Sequence, residues 1–123
     1  MSNKLIFKGT PVAKPRMTQA DRWKKRPVVE KYWTFKDNIV RQAKEQDFEL
    51  GNSYEITFII QLPKSMSEKK KKEYDGKAHM VRPDLDNLQK SANDCLLEED
   101  STVHTTVARK IWGREGRIII KNM

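Results

Sequence analysis

Residues 53–62, Ser-Tyr-Glu-Ile-Thr-Phe-Ile-Ile-Gln-Leu, decide the fold. Tyr54, Ile56, Phe58, Ile60 and Leu62 alternate with Glu55, Thr57 and Gln61. A period of two sends the first set to one side of a strand, so this strand has one face on a core. Upstream, Tyr32, Phe35, Ile39 and Ala43 recur at helical spacing and predict a helix over residues 29–46. Residues 3–9 alternate as a further strand. Residues 10–27, with Pro11, Pro15, Pro27 and many cations, read as a long loop, of a length that is usually functional or mobile.

Downstream, Ser67 caps a short basic helix that ends at Gly76. Pro83 disfavours the α region for Arg82, which makes residues 77–83 extended. A helix follows over 84–97, with Asp84 as N-cap and an apolar stripe of Leu85, Leu88, Ala92, Cys95 and Leu96. Residues 102–112 and 116–121 read as strands joined by Gly113-Arg114-Glu115-Gly116 as a hairpin. The sum is an α+β single domain with a mixed or antiparallel sheet of about four strands and helices packed on one face.

The 123 residues suit one domain. No apolar run approaches the roughly 20 residues of a membrane span, and the N-terminus has no signal-like apolar stretch. The lone Cys95 excludes an internal disulfide and suits the reducing cytoplasm. Twenty-five Lys and Arg against seventeen Asp and Glu give a net charge of +8. Such an excess attracts polyanions, nucleic acid above all, although simple solubility and anionic membranes compete.

The chemistry is concentrated in Arg82-Pro83-Asp84-Leu85-Asp86-Asn87-Leu88-Gln89-Lys90. One carboxylate hangs from the helix cap and the other sits in the first turn, so the two can converge. Paired negative charge calls for a neutralising cation. Hard oxygen ligands suit Mg²⁺, which takes one or two protein carboxylates and keeps several waters. Lys90, one turn after Asp86, is placed either to pair with it or to meet a phosphate. The plain alternative makes Asp84 an N-cap and Asp86–Lys90 a surface pair. A third carboxylate comes from Glu98-Glu99-Asp100, acids at a helix C-terminus where cations are favoured, or else a solvated acidic turn.

The run Pro83-Asp84-Leu85-Asp86-Asn87-Leu88-Gln89-Lys90, then Asp94, then Glu99-Asp100-Ser101, resembles the RusA family of Holliday junction resolvases, many carried by phages and prophages. The likeness extends to Lys14-Pro15-Arg16, the basic segment before Asp84 and a late strand carrying Lys110, so that residues 1–123 look like one RusA-like domain. It implies a homodimer that cuts two strands symmetrically at a four-way junction with Mg²⁺, Mn²⁺ substituting. Asp84, Asp86 and Asp100 take the places of the metal-binding catalytic aspartates, with Glu99 the alternative third ligand, and Lys90 that of the catalytic lysine. The stretch Cys95-Leu96-Leu97-Glu98 is shorter than in the family, the acidic pair is Glu-Asp, and the aromatic residues that some members push into the junction have no clean counterpart.

Lys14, Arg16, Arg22, Lys24, Lys25 and Arg26, with Trp23 among them, suit an arm that tracks phosphates and stacks on a base. Lys69, Lys70, Lys71 and Lys72 offer a second contact or, wrapped all around their helix, only solvate it. Arg82, ahead of the acidic motif, and Lys110 complete the candidate DNA contacts with His79, although a lone histidine is more often structural. The partners expected are branched DNA and a second copy of the chain, with no membrane and no small-molecule substrate. The rivals are a non-catalytic basic nucleic-acid-binding protein, a PD-(D/E)xK nuclease, which lacks its lysine after Glu99-Asp100, and a structural dimer.

Overall fold

Alternation in β2 (Ser53–Gln61) sets the interior: Tyr54, Ile56 and Phe58 are all fully buried, while Glu55, Thr57 and Ile59 face the other way. The computed structural model describes residues 2–16 and 26–123. Arg22, Trp23, Lys24 and Lys25 of the expected DNA-tracking arm lie outside the described residues. Around β2 stand β1 (Lys4–Lys8), α1 (Pro27–Glu45), α2 (Glu68–Tyr74), α3 (Leu85–Leu96), a 3₁₀ turn (Asp100–Thr102), β3 (Thr105–Gly113) and β4 (Arg117–Asn122). The α+β class holds, with a four-stranded mixed sheet in the order β1-β4-β2-β3.

The predicted stripe of α1 is buried as expected, with Val29 added at its start, and Pro27 occupies the first helical position, where its missing N–H costs nothing. α1 and α3 cover one face of the sheet. Their side chains join Leu5, Phe7, Ile118 and Ile120 in a single core. α2 buries nothing and is tied to the β3–β4 connection by Arg114, which pairs with Glu68 at 3.0 Å. Among the described residues, no helix is long and apolar enough to cross a membrane.

The expected hairpin is not formed. β3 runs parallel to β2, whereas β4 lies on the other side of β2, antiparallel both to it and to β1. The reason lies in the run Ile118-Ile119-Ile120, which is apolar toward both faces and so belongs inside the sheet. β3, with Arg109 and Lys110, tolerates an edge. The glycines taken for turn residues instead let the chain cross the end of β2. A Cβ on Gly113 would meet Ile59 Cγ2 at 2.3 Å, and one on Gly116 would meet the Gly9 carbonyl oxygen and Thr10 Cα, both at 2.9 Å.

Both edges of the sheet are covered, that of β3 over its C-terminal part. On β1, two side-chain amides of α1 imitate a missing strand. Gln46 accepts from Ile6 N–H at 2.9 Å and donates to Ile6 C=O at 2.8 Å. Gln42 does the same for Lys8, at 2.8 and 3.0 Å. On β3, residues 76–79 supply the bonds: Gly76 N–H to Trp112 C=O at 2.8 Å, Trp112 N–H to Lys77 C=O at 2.9 Å, and His79 N–H to Lys110 C=O at 2.9 Å. An edge so satisfied offers little to a neighbouring chain.

The crossing at Gly116 is testable. Its neighbours are backbone and cannot rotate away, so Gly116→Ala is expected to destabilise the fold by about 1–3 kcal/mol, the range of overpacked sites. A lowered urea midpoint at unchanged slope would register it; an unaltered midpoint would mean that the crossing is looser than described.

Candidate active site

The strap on β3 leads straight into the acidic motif. After His79 the chain turns through residues 81–83, with the Arg82–Pro83 peptide cis, and α3 begins at Leu85. Lys110 holds this turn: its Nζ donates to Val81 C=O and to Pro83 C=O, each at 2.6 Å. Asp84 is the N-cap, as its position in the sequence predicts, but its side chain makes no capping hydrogen bond. Asp86 lies in the first turn, and its Oδ1 accepts only the neighbouring Asn87 N–H, at 3.0 Å. Both acids are exposed, and neither has an ion pair among the described residues. The positive end of the helix favours two carboxylates there. Of the two placements open to Lys90, the pair with Asp86 is not formed among the described residues.

Lys90 instead lines an open cleft of about 460 Å³ together with Lys14, Pro15, Arg16 and Asn87. A neighbouring cleft of about 470 Å³ is lined by Arg82, Pro83, Asp84 and Asn87. Asn87, which the sequence reading passed over, borders both. Lys14 is engaged by Asp94 at 2.7 Å, and Arg26 donates to the Arg16 carbonyl at 2.8 Å, which ties together the two ends of the basic arm. Arg16, Arg82 and Lys90 are left exposed beside the acids.

Asp100 opens the 3₁₀ turn ahead of β3 and is exposed. Glu99 is its cap and accepts Ser101 N–H at 3.3 Å, so of the acidic pair it is Asp100 whose carboxylate is unspent. The pKa of the Tyr54 hydroxyl is raised by burial, against hydrogen bonds with Gln89 and Asn93 that lower it, and the Asp100 carboxylate adds a smaller upward push. That hydroxyl bonds Asn93 and accepts from Gln89 at 3.3 Å, and Gln89 also donates to Thr106 Oγ1 at 2.9 Å. Asn93 lies seven residues, about 10 Å, further along the helix axis than Asp86. Among the described residues, no three Asp, Glu, His or Cys side chains gather into a metal-binding group. Asp84 and Asp86 share one helix end, and Asp100 is not assembled with them.

Besides Lys14 and Arg26, two further expected DNA contacts are otherwise employed. His79 is only 4% exposed, with its ring 4.2 Å from that of Trp112, and from there it meets no phosphate. Lys110 spends its ammonium on the two carbonyls. Lys69, Lys70 and Lys72 are exposed on α2 and Lys71 is partly covered, as a phosphate-binding surface requires.

Residues 8–122 match the model of the endodeoxyribonuclease RusA family. The chain belongs to that family. None of the curated proteins matches it. The matched span runs from the last residue of β1 to the end of β4 and takes in β2, β3, β4, both clefts and all three acids. Family membership makes DNA the substrate and its endonucleolytic cleavage the activity.

His79 gives a pH prediction. Burial first, and then the Lys110 ammonium, push its pKa below the ordinary 6.5, and its Nδ1 has no hydrogen-bond partner. The unfolded chain therefore binds the proton more readily, and stability falls as pH drops below about 6.5 toward the lower folded value. Urea midpoints of the wild type should decline between about pH 7 and pH 5.5 relative to those of His79→Phe. Parallel midpoints over that window would rule out the buried neutral ring.

Proposed function

We propose that this endonuclease resolves four-way DNA junctions by Mg²⁺-dependent phosphodiester hydrolysis and acts as a homodimer. The reading is carried by two carboxylates, Asp84 and Asp86, whose side chains among the described residues make neither a capping bond nor an ion pair, at a helix end beside clefts lined by Arg16, Arg82 and Lys90. A phosphate drawn to these cations would be repelled by the acids unless a cation stood between them. Unspent hard oxygens at a helix N-terminus fit Mg²⁺, or Mn²⁺, which needs only one or two protein carboxylates. Asp84 and Asp86 would hold it. Asp100 is assigned the third place, as the resemblance implies, and is tested separately because it stands apart.

When bound, the ion supplies an activated water and a polarised phosphate. Lys90 offsets the charge that develops on the phosphoryl oxygens. Arg16 and Arg82 orient the backbone on either side of Asn87, and the α2 lysines lengthen the cationic track. Two such sites related by a twofold axis would nick a twofold-symmetric junction in two strands.

A synthetic four-way junction and a matched linear duplex, each with and without Mg²⁺, test this. Paired nicks are expected in the junction alone, and only with the ion. Asp84→Asn and Asp86→Asn should each slow cleavage at least about 100-fold while junction binding in Ca²⁺ persists. An equal loss in Asp100→Asn would make the site a three-carboxylate one, and full activity would leave two. Equal cutting of both substrates would reduce the protein to a general nuclease. Undiminished cleavage by both helix-end variants would remove these acids from the chemistry.

A further inference from the structure

We propose that Lys110 is a positioning residue, whose ammonium holds the turn before Asp84 by the carbonyls of Val81 and Pro83 and so sets where the Asp84 carboxylate stands. The inference rests on the function proposed above and deepens it.

A lysine on a basic DNA-binding protein is expected to point at phosphate. Lys110 does not. Its Nζ lies 2.6 Å from Val81 O and 2.6 Å from Pro83 O, it is half-buried, and among the described residues it has no carboxylate partner. Its main-chain carbonyl also receives His79 N–H at 2.9 Å. One residue of β3 thus grips the strap at three places, at 79, 81 and 83. No backbone–backbone hydrogen bond ties residues 80–83 to the sheet among the described residues, so the ammonium is what spans this gap. Charge-assisted bonds are the stronger kind, and two from one rigid strand fix a direction as well as a distance.

The Pro83 carbonyl carbon is bonded to Asp84 N. Where that carbonyl is held, the first atom of Asp84 is held too. Asp84 has no capping bond to fix its side chain, and the helix proper begins only at Leu85. α3 holds Asp84 from downstream through Leu88 N–H to its C=O at 3.1 Å, the turn holds it from upstream, and the turn is placed by Lys110. An error of about 1 Å in such a group is enough to slow a reaction on the order of 100-fold.

Lys110→Met, which keeps the aliphatic stem, and Lys110→Arg, which keeps donors and charge, separate positioning from phosphate contact. For Lys110→Met we expect junction affinity in Ca²⁺ unchanged within about two-fold, with the wild-type salt dependence. Cleavage in Mg²⁺ should fall by at least about ten-fold, in kcat with KM held. Amide exchange should quicken over residues 80–86 and not in β2 or β4. Lys110→Arg should recover most of the rate. A salt slope reduced by about one would make Lys110 a phosphate contact and overturn the proposal; so would wild-type cleavage by Lys110→Met. If Lys110→Met unfolds, Lys110→Gln is judged by the same readouts. The exchange measurement needs no activity. Should the wild type itself fail to cut, the nuclease reading falls, and quickened exchange over residues 80–86 still decides whether Lys110 holds the turn.

Discussion

The free edge of β3 is the constraint on which the site depends. A strand at the end of a sheet carries unpaired N–H and C=O groups that must be met by something. Here residues 76–79 meet them, and because they do, the chain leaves the sheet at a fixed point and arrives at α3 from a fixed direction. The same economy operates at the opposite edge, where Gln42 and Gln46 bond β1 with four side-chain hydrogen bonds. Covering these stretches of edge leaves less of a small sheet open to strays. On the β3 side it also positions the residues that matter.

Electrostatics then act on what the backbone has placed. In a chain of net charge +8, acids readily find lysine or arginine partners, as Glu55, Glu68 and Asp94 do. Among the described residues Asp84 and Asp86 do not, although Arg82 and Lys90 are close in sequence. Surface pairs are worth at most about 1 kcal/mol, so little is lost by leaving these open. What results is an acidic point among cations, with the positive end of α3 beneath it. A phosphodiester is attracted by the surroundings and needs a cation at the point itself.

Much of this was legible in the sequence, wherever the signal is local. The alternation of β2, the stripe of α1 and the N-cap position of Asp84 are matters of period and neighbour, and each stands where it was read. The order of strands was not legible, since it depends on which strand can bear an edge. A glycine pair marks a hairpin and a chain crossing alike. Side-chain duties were least legible of all. Lys110 and Arg82 are both cations near the motif, yet one faces a pair of carbonyls and the other a cleft. His79 is as near as either and is buried. No spacing rule distinguishes them, because the difference lies in β3, thirty residues away. Glu99 and Asp100 are alike as donors until the 3₁₀ turn engages one of them as a cap.

Tyr54 joins the two halves of the molecule. It is the first buried residue of β2, fully enclosed, and so belongs to the core that the opening stretch of sequence specifies. Its hydroxyl is also where the polar flank of α3 is anchored, through Asn93 and Gln89, and where the charge of Asp100 is felt. A hydrogen bond in such a place contributes only about 1 kcal/mol net, but leaving its partners buried and unpaired costs about 1–3 kcal/mol. The rotation of α3 about its axis is therefore specified more by what it would lose than by what it gains. That rotation decides whether Asp86 and Lys90 face solvent. The strand that organises the hydrophobic core thereby also aims the acids: its side chains fix the far end of α3 through Tyr54, while β3 fixes the near end through the strap, and the acidic motif lies between two points of attachment.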